Sequence, residues 1–341
     1  MLLSIFNAHP YDKEYLTAAS AEIQLTFHDF PLASDTASLA AGSTAVCAFV
    51  NDDLSAPILE ALHQNGVRAL LLRCAGFNNV DLDKAKALGL FVANVPSYSP
   101  EAVAEFAVAL IQTLNRKTHR AYNRVREGNF SLDGLLGTTL HGKTVGICGT
   151  GKIGVCLARI MNGFGCRVLA FDPYENDEFK KYGTYVDFDT MLSSSDFISL
   201  HCPLMPHTKH IINGAALKKM KPGAMLINTS RGALIDTRSV IRALKDRELA
   251  GLALDVYEGE GKIFYKDHSN SIIEDDDLMR LMTFPNVIIC GHQAFFTKEA
   301  LTEIAECTLR NLEDFLEGRQ CKNSLIENPL LRRDSGPVRN V

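Results

Sequence analysis

Short apolar runs alternate with helix-patterned stretches along the whole chain. In the first third, Leu2–Phe6, Leu25–Phe30, Ala45–Val50, Ala69–Leu72 and Leu90–Val95 read as strands. Ser55–Asn65 predicts a helix, with Ser55 as its cap and Gly66 as its stop. A longer helix is expected from Pro100 to Glu127. Ser99 can cap it, Pro100 fits a first turn, and Glu101 suits the positive helix end. Its first half, Ala102 to Ile111, is apolar almost all round, the pattern of a helix buried on several sides. Such a helix fits a crossing between domains and an ordinary core helix alike.

A second series begins at Thr144, with strands expected at Val145–Cys148, Val168–Phe171, Phe197–His201, Met225–Asn228, Leu252–Val256 and Val287–Cys290. Six strands with helices between them match an α/β, doubly wound sheet of the dinucleotide-binding type. A last helix, about Lys298–Glu317, leads through Gly318 to a polar tail without apolar periodicity.

A chain of 341 residues suits two domains, and 46% apolar with 22% charged residues is ordinary for a globular protein. The formal charge of −5 gives no electrostatic reason to expect nucleic acid or an anionic membrane as partner. Arg116, Lys117, Arg120, Arg124 and Arg126 cluster, but such a run on a helix is read as a solvated face. The nine cysteines are odd in number and show no C-x-x-C spacing. They read as reduced thiols in a reducing compartment, and no metal site is expected. The N-terminal apolar run lacks a basic lead and reads as a buried strand rather than a signal peptide. No run approaches the roughly 18 apolar residues that span a bilayer. The cytoplasm is the expected compartment.

Candidate chemistry starts at Gly149-Thr150-Gly151-Lys152-Ile153-Gly154. A G-x-G-x-x-G is weak alone, but this one follows an apolar strand, opens a helical pattern and has an acid downstream. Gly149 makes the tight turn, Gly151 lets a diphosphate approach the backbone, and Gly154 allows close helix–strand packing. The diphosphate would rest on unpaired N–H groups at the helix start. Asp172, 18 residues past Gly154, ends the next strand. A carboxylate there accepts from ribose hydroxyls and repels a 2′-phosphate, so NAD is expected rather than NADP.

Three further residues fall just beyond strand ends, where doubly wound sheets place their ligands: Arg231, Glu260 and His292. An arginine fork can hold a carboxylate and polarise a carbonyl. A histidine can supply a proton near neutral pH, and a neighbouring carboxylate orients its ring. Singly, each has a bland reading as a surface or structural residue; jointly they suit reduction of a keto acid.

With these residues placed, the chain resembles the D-isomer-specific 2-hydroxyacid dehydrogenases, and most of all their D-lactate branch. The motifs that carry the resemblance are Arg73–Asp81, Val95–Pro100, Gly149–Gly154, Ser199–Leu204, Asn228–Gly232 and Gly291–Phe296, and it extends to about residue 328. It implies Arg231 as the substrate-binding arginine, Glu260 as the carboxylate partner and His292 as acid/base. It implies a substrate carboxylate held by N–H groups around Ala75 and Gly76, with Tyr98, Phe295 and Phe296 lining the pocket. Cofactor contacts implied in the same way are Lys152, Ile153, Cys202, Pro203, Thr208, Thr229, Ser230 and Asp255.

The organisation it implies is an NAD domain over residues 99–296, inserted in a flavodoxin-like α/β substrate domain of residues 1–98 plus 297–330, with a flexible tail at 331–341. It further implies a homodimer, or a dimer of dimers, joined through the cofactor domain. Glu258 rivals Glu260 by residue type, but the 29-residue spacing from Arg231 favours Glu260. The reaction implied is reduction of pyruvate to D-lactate with NADH. Alternatives are another acid, such as hydroxyisocaproate, glyoxylate or hydroxypyruvate, and an NADH-sensing binding protein similar to the corepressors on this fold.

Overall fold

Runs that are apolar at every position demand burial on both faces, and two parallel sheets supply it. The computed structural model describes residues 2–20 and 23–326. It divides into one unit of residues up to Ser99 together with those from Phe296, and a second unit of Pro100–Phe295. The expected tail at 331–341 lies outside the described residues, as do residues 327–330.

In the first unit the strands are β1 (Leu2–Ile5), β2 (Gln24–Phe27), β3 (Ala45–Ala48), β4 (Ala69–Leu72) and β5 (Phe91–Ala93). They run parallel in the order β2-β1-β3-β4-β5, the flavodoxin-like order, and a short strand Ser324–Ile326 pairs antiparallel with β5. Period-two alternation divides the core. Leu3, Ile5, Cys47, Leu71 and Phe91 face the helix Lys298–Leu316 through Leu309, Leu312 and Phe315. Val46, Ala48, Leu70, Leu72 and Val92 face Ile58, Leu59 and Leu62 of the helix Ala56–Gln64. Ser55 precedes that helix without making the side-chain cap expected of it, whereas Gly66 does take a left-handed φ of 95° just past its end.

The second unit holds β6 (Thr144–Cys148), β7 (Arg167–Phe171), β8 (Thr184–Tyr185), β9 (Phe197–Leu200), β10 (Met225–Asn228), β11 (Gly251–Leu254) and β12 (Val287–Ile289). All are parallel, in the order β12-β11-β10-β9-β6-β7-β8, a doubly wound Rossmann-type sheet. The order reverses between β6 and β9, and the strand ends there open the crevice in which such sheets bind ligands.

The expected single helix from Pro100 to Glu127 is two helices, Pro100–Arg116 and Thr118–Arg126, broken where Lys117 takes a left-handed φ of 53°. The break has a tertiary cause. Buried Asn115 donates to the Thr138 carbonyl at 2.8 Å and accepts from Thr138 N–H at 2.9 Å, and Lys117 donates to the Leu136 carbonyl. The first helix packs inside this unit, its Ala104, Ala107 and Ile111 sharing a core with Leu157, Ala158 and Met161 of the helix Lys152–Gly163. No described helix is long and apolar enough to cross a membrane.

Candidate active site

The glycine loop is shaped by three different steric demands. Gly149 has φ 99°, and a β-carbon there would lie 2.5 Å from the Cys202 nitrogen. A β-carbon on Gly154 would lie 2.1 Å from the Gly149 carbonyl oxygen. At Gly151 it would meet nothing within 4 Å. The loop is therefore jammed against the protein at two glycines and open at the third. The open glycine precedes Lys152, Ile153 and Gly154, whose N–H groups lie in the first turn of the helix Lys152–Gly163 and have no acceptor within it. That geometry fits a diphosphate.

Asp172, at the end of β7, clasps this loop. Its Oδ2 accepts from Thr150 N–H at 2.7 Å and from the Thr150 hydroxyl at 3.1 Å, and its Oδ1 accepts from Tyr174 N–H at 2.9 Å. Tyr185 donates to the Thr150 hydroxyl at 2.7 Å, and Asn176 Nδ2 donates to the Thr150 carbonyl at 3.0 Å. Thr150, Asn176 and Tyr185 were not singled out by the sequence reading. Only the position of Thr150 inside the glycine motif could have pointed to it.

Past β9, the Thr208 hydroxyl donates to the Pro203 carbonyl and accepts from Met205 N–H, each at 2.7 Å, closing the loop that begins at Cys202. Past β10, Ser230 Oγ donates to the Cys202 carbonyl at 2.7 Å. The neighbouring Thr229 hydroxyl oxygen is buried without a hydrogen-bond partner among the described residues. A buried orphan hydroxyl is costly and asks for a ligand group or water. Together with the open backbone at Gly151, it makes this strand-end region fit a dinucleotide.

Arg231 follows directly. Asn228 braces the turn, its Nδ2 donating to the Arg231 carbonyl at 2.8 Å and its Oδ1 accepting from Ser230 N–H at 3.0 Å. The half-buried guanidinium donates Nη1 to the Ser230 carbonyl at 2.7 Å, and among the described residues no carboxylate pairs with it. A β-carbon on Gly232 would lie 2.1 Å from the Tyr257 carbonyl carbon, so the Arg231 turn is pressed against the turn that carries Glu260.

Glu260 and His292 are brought together. Glu260 Oε1 lies 2.8 Å from His292 Nδ1, and its Oε2 accepts from Tyr257 N–H at 2.8 Å. Both side chains are mostly buried, at 16% and 18% exposure. With Nδ1 taken, Nε2 is the ring nitrogen left for chemistry. The rival Glu258 points elsewhere and meets His210 Nε2 at 2.9 Å.

Asp255 acts on the histidine turn. Its fully buried carboxylate accepts from Gln293 N–H at 2.8 Å and Ala294 N–H at 3.0 Å. Burial pushes its carboxyl above the usual range, and the two N–H donors oppose that rise. His292 itself sits at φ 57°, a left-handed conformation that a non-glycine residue holds only when its surroundings enforce it. Tyr265, from the long segment after Glu260, donates to the His292 carbonyl at 3.1 Å, and the Phe295 ring stands edge-on to the imidazole at 6.5 Å. Nothing in the residue pattern marked Tyr265.

The remaining candidates belong to the first unit. Ala75 and Gly76 follow β4, and their N–H groups have no acceptor among the described residues. Their carbonyls are held from behind, Ala75 by Asn94 Nδ2 at 2.8 Å and Gly76 by Cys74 Sγ at 3.2 Å. Asn311 in turn donates to the Asn94 carbonyl at 2.8 Å. Just ahead of this loop, buried Arg73 pairs with Asp12 at 3.1 Å. Tyr98 is half-buried after β5, and Phe296 is half-exposed with Tyr11 edge-on at 4.9 Å.

Residues 108–294 match the NAD-binding domain of D-isomer specific 2-hydroxyacid dehydrogenases. The chain is 62% identical to a D-lactate dehydrogenase of Curvularia clavata, over 99% of this chain and all of the relative. Among solved structures, the apo D-lactate dehydrogenase of Escherichia coli superposes with a TM-score of 0.88 at 51% identity, covering 96% of this chain and 100% of that one. The pyruvate reductase of Chlamydomonas reinhardtii gives 0.90 at 41% identity, covering 95% and 98%. A loop built for a dinucleotide, an arginine without a carboxylate partner among the described residues and a carboxylate–imidazole pair at successive strand ends agree with those likenesses: the chain belongs to the D-isomer-specific 2-hydroxyacid dehydrogenases and is an NAD-dependent oxidoreductase.

Proposed function

We propose that the enzyme reduces pyruvate to D-lactate, reversibly, with Arg231, Glu260 and His292 as its chemical residues. The observation that carries this is the Glu260–His292 contact at 2.8 Å beside a turn whose arginine has no carboxylate partner among the described residues. Bound NADH supplies the hydride. Arg231 binds the keto acid and polarises its carbonyl, because a cation not neutralised by the protein keeps its field for the ligand. Glu260 fixes the imidazole ring through Nδ1, so that Nε2 delivers a proton to the carbonyl oxygen and recovers it in the reverse direction.

In this reading the N–H groups of Ala75 and Gly76 take the substrate carboxylate, and Tyr98, Phe295 and Phe296 keep its side chain small. The dinucleotide is held by Gly149, Gly151, Lys152, Ile153, Gly154 and Asp172, then by Cys202, Pro203, Thr208, Thr229 and Ser230. Asp255 acts near the nicotinamide end by holding the His292 turn. The unit containing Ala75 serves as the substrate domain. The names of the Curvularia and Chlamydomonas relatives support pyruvate and lactate as the pair.

The test is a panel of pyruvate, hydroxypyruvate, glyoxylate and 2-ketoisocaproate followed at the NADH absorbance, with His292→Ala beside the native enzyme. Pyruvate should give the highest kcat/KM, and the variant should lose at least roughly a hundredfold in kcat while still binding NADH. A native-like rate in His292→Ala overturns the assignment, and a higher kcat/KM for another acid moves the substrate but not the chemistry.

The enzyme acts in the cytoplasm as a homodimer in the same proposal. Tyr122, Val125, Phe130, Leu132 and Leu136 are 47–89% exposed on the segment after Lys117, more apolar side chain than one short surface stretch usually leaves in water. A second copy covering them is expected, and Phe130→Asp with Leu136→Asp should yield monomers in light scattering.

A further inference from the structure

Two cysteines meet beneath the dinucleotide loop. Cys148 is the last residue of β6, and Cys202 lies just past β9, the neighbouring parallel strand. Their sulfurs are 3.8 Å apart, with the Cys148 S–H directed at Cys202 Sγ. The backbone enforces this approach. His201 N–H donates to the Cys148 carbonyl at 2.7 Å, and the Gly149 α-carbon is so close to Cys202 that no β-carbon fits between them. From the other side, Ser230 Oγ anchors the Cys202 carbonyl. Among the described residues neither thiol has another sulfur or side-chain acceptor.

We propose that Cys148 and Cys202 form a reversible disulfide under peroxide, and that this oxidation weakens dinucleotide binding. The pair is a modification site separate from the keto-acid chemistry, and it rests on no assignment of substrate. Cys202 is the sulfur attacked first, being 9% exposed against 1% for Cys148. The hydrogen bond from Cys148 also holds the Cys202 thiol below its usual range, while burial pushes Cys47, Cys156, Cys166, Cys290, Cys307 and Cys321 up.

The chemistry balances with hydrogen peroxide as the two-electron oxidant. The Cys202 thiolate attacks one peroxide oxygen; an S–O bond forms, the O–O bond breaks, and hydroxide leaves and is protonated to water. The Cys148 sulfur then attacks the sulfenic sulfur. An S–S bond forms, the S–O bond breaks, and the Cys148 proton departs with the hydroxide as a second water. A small thiol reverses the bond by exchange.

A disulfide holds its sulfurs at about 2.05 Å, so oxidation must draw in a contact that now measures 3.8 Å. The Gly149 turn has no slack to absorb that movement, since it already touches the Cys202 backbone and donates to the Phe171 carbonyl at 2.9 Å. Displacing it moves Thr150 within its Asp172 clasp and Gly151 at the helix start.

The experiment uses the full-length enzyme, treated with a few equivalents of hydrogen peroxide and alkylated in denaturant before digestion. The expected product is one cross-linked peptide pair containing Cys148 and Cys202, lighter by two hydrogens than the reduced pair. NADH affinity, read by fluorescence titration, should fall roughly tenfold, or about 1.4 kcal/mol, and recover with dithiothreitol. Cys148→Ala should bind NADH normally before peroxide and keep that affinity after it, and Cys148→Val serves if the smaller residue unsettles β6. The proposal is overturned if Cys148 and Cys202 are recovered as separately alkylated thiols. It is equally overturned if the cross-link forms without loss of affinity, or if both Cys148 variants lose affinity to peroxide as the native enzyme does.

Discussion

Tyr265 donates its hydroxyl to the carbonyl oxygen of His292 at 3.1 Å, with the two rings 5.9 Å apart. The segment after Glu260 is thereby fastened to the backbone that presents the imidazole. His292 is held from one side by Tyr265 and from the other by Asp255, which binds the next two N–H groups. A left-handed histidine needs such support, since the conformation costs of order 1–3 kcal/mol.

Removing the Tyr265 hydroxyl should therefore reach the chemistry through position alone. In Tyr265→Phe the lost hydrogen bond is worth about 1 kcal/mol, or roughly fivefold in kcat if it is felt in the transition state. The melting temperature and NADH affinity should stay near native. An unchanged kcat beside a raised KM would mean that the residue serves substrate binding instead.

The glycine loop separates folding from cofactor binding. Gly151→Ala adds a methyl into open space, so the protein should fold with near-native stability yet lose NADH affinity by at least roughly tenfold. Gly149→Ala places a β-carbon 2.5 Å from the Cys202 nitrogen at a φ of 99°, and should cost more than roughly 2 kcal/mol of stability. Thermal melts with NADH titrations on both variants decide it; equal losses of stability would contradict the steric difference.

Asp172→Ala should change both selectivity and affinity. The variant no longer repels a 2′-phosphate, so the preference for NADH over NADPH should drop by roughly tenfold or more. Because Thr150 also loses its carboxylate partner, NADH itself should bind less tightly. A variant that still rejects NADPH would place the ribose reader elsewhere.

His201 makes acid stability measurable. Burial pushes its imidazole down from 6.5 to about 4, and its Nε2 lies 2.8 Å from Ser199 Oγ. The unfolded chain takes up the proton first as pH falls below 6.5, so native stability drops from there and levels off near pH 4. The loss should be no more than about 3.5 kcal/mol. In His201→Gln, which can keep a hydrogen bond to Ser199, the melting temperature should fall less between pH 6.5 and 4 than in the native enzyme. Parallel curves for the two proteins would refute the role.

Strands that are buried on both faces were the readable part of this chain. Ala45–Ala48 and Ala69–Leu72 show as continuous apolar runs because neither face meets water. Thr184–Tyr185 and Ser324–Ile326 did not show, being two and three residues at sheet edges, too short to carry a period. The break at Lys117 was equally silent: no glycine or proline marks it, and its cause is Thr138, twenty-odd residues downstream, bonded to Asn115.

The residues alone determined the two α/β sheets, the glycine loop with its acid, and the positions of an arginine, a glutamate and a histidine past strand ends, because periodicity, turn chemistry and spacing are local properties. Folding decided that Glu260 rather than Glu258 meets His292, that Asp255 and Tyr265 hold the histidine turn, and that two thiols face each other under Gly149. Those relations join residues far apart in the chain, and a distance between side chains exists only after the strands have taken their order in the sheet.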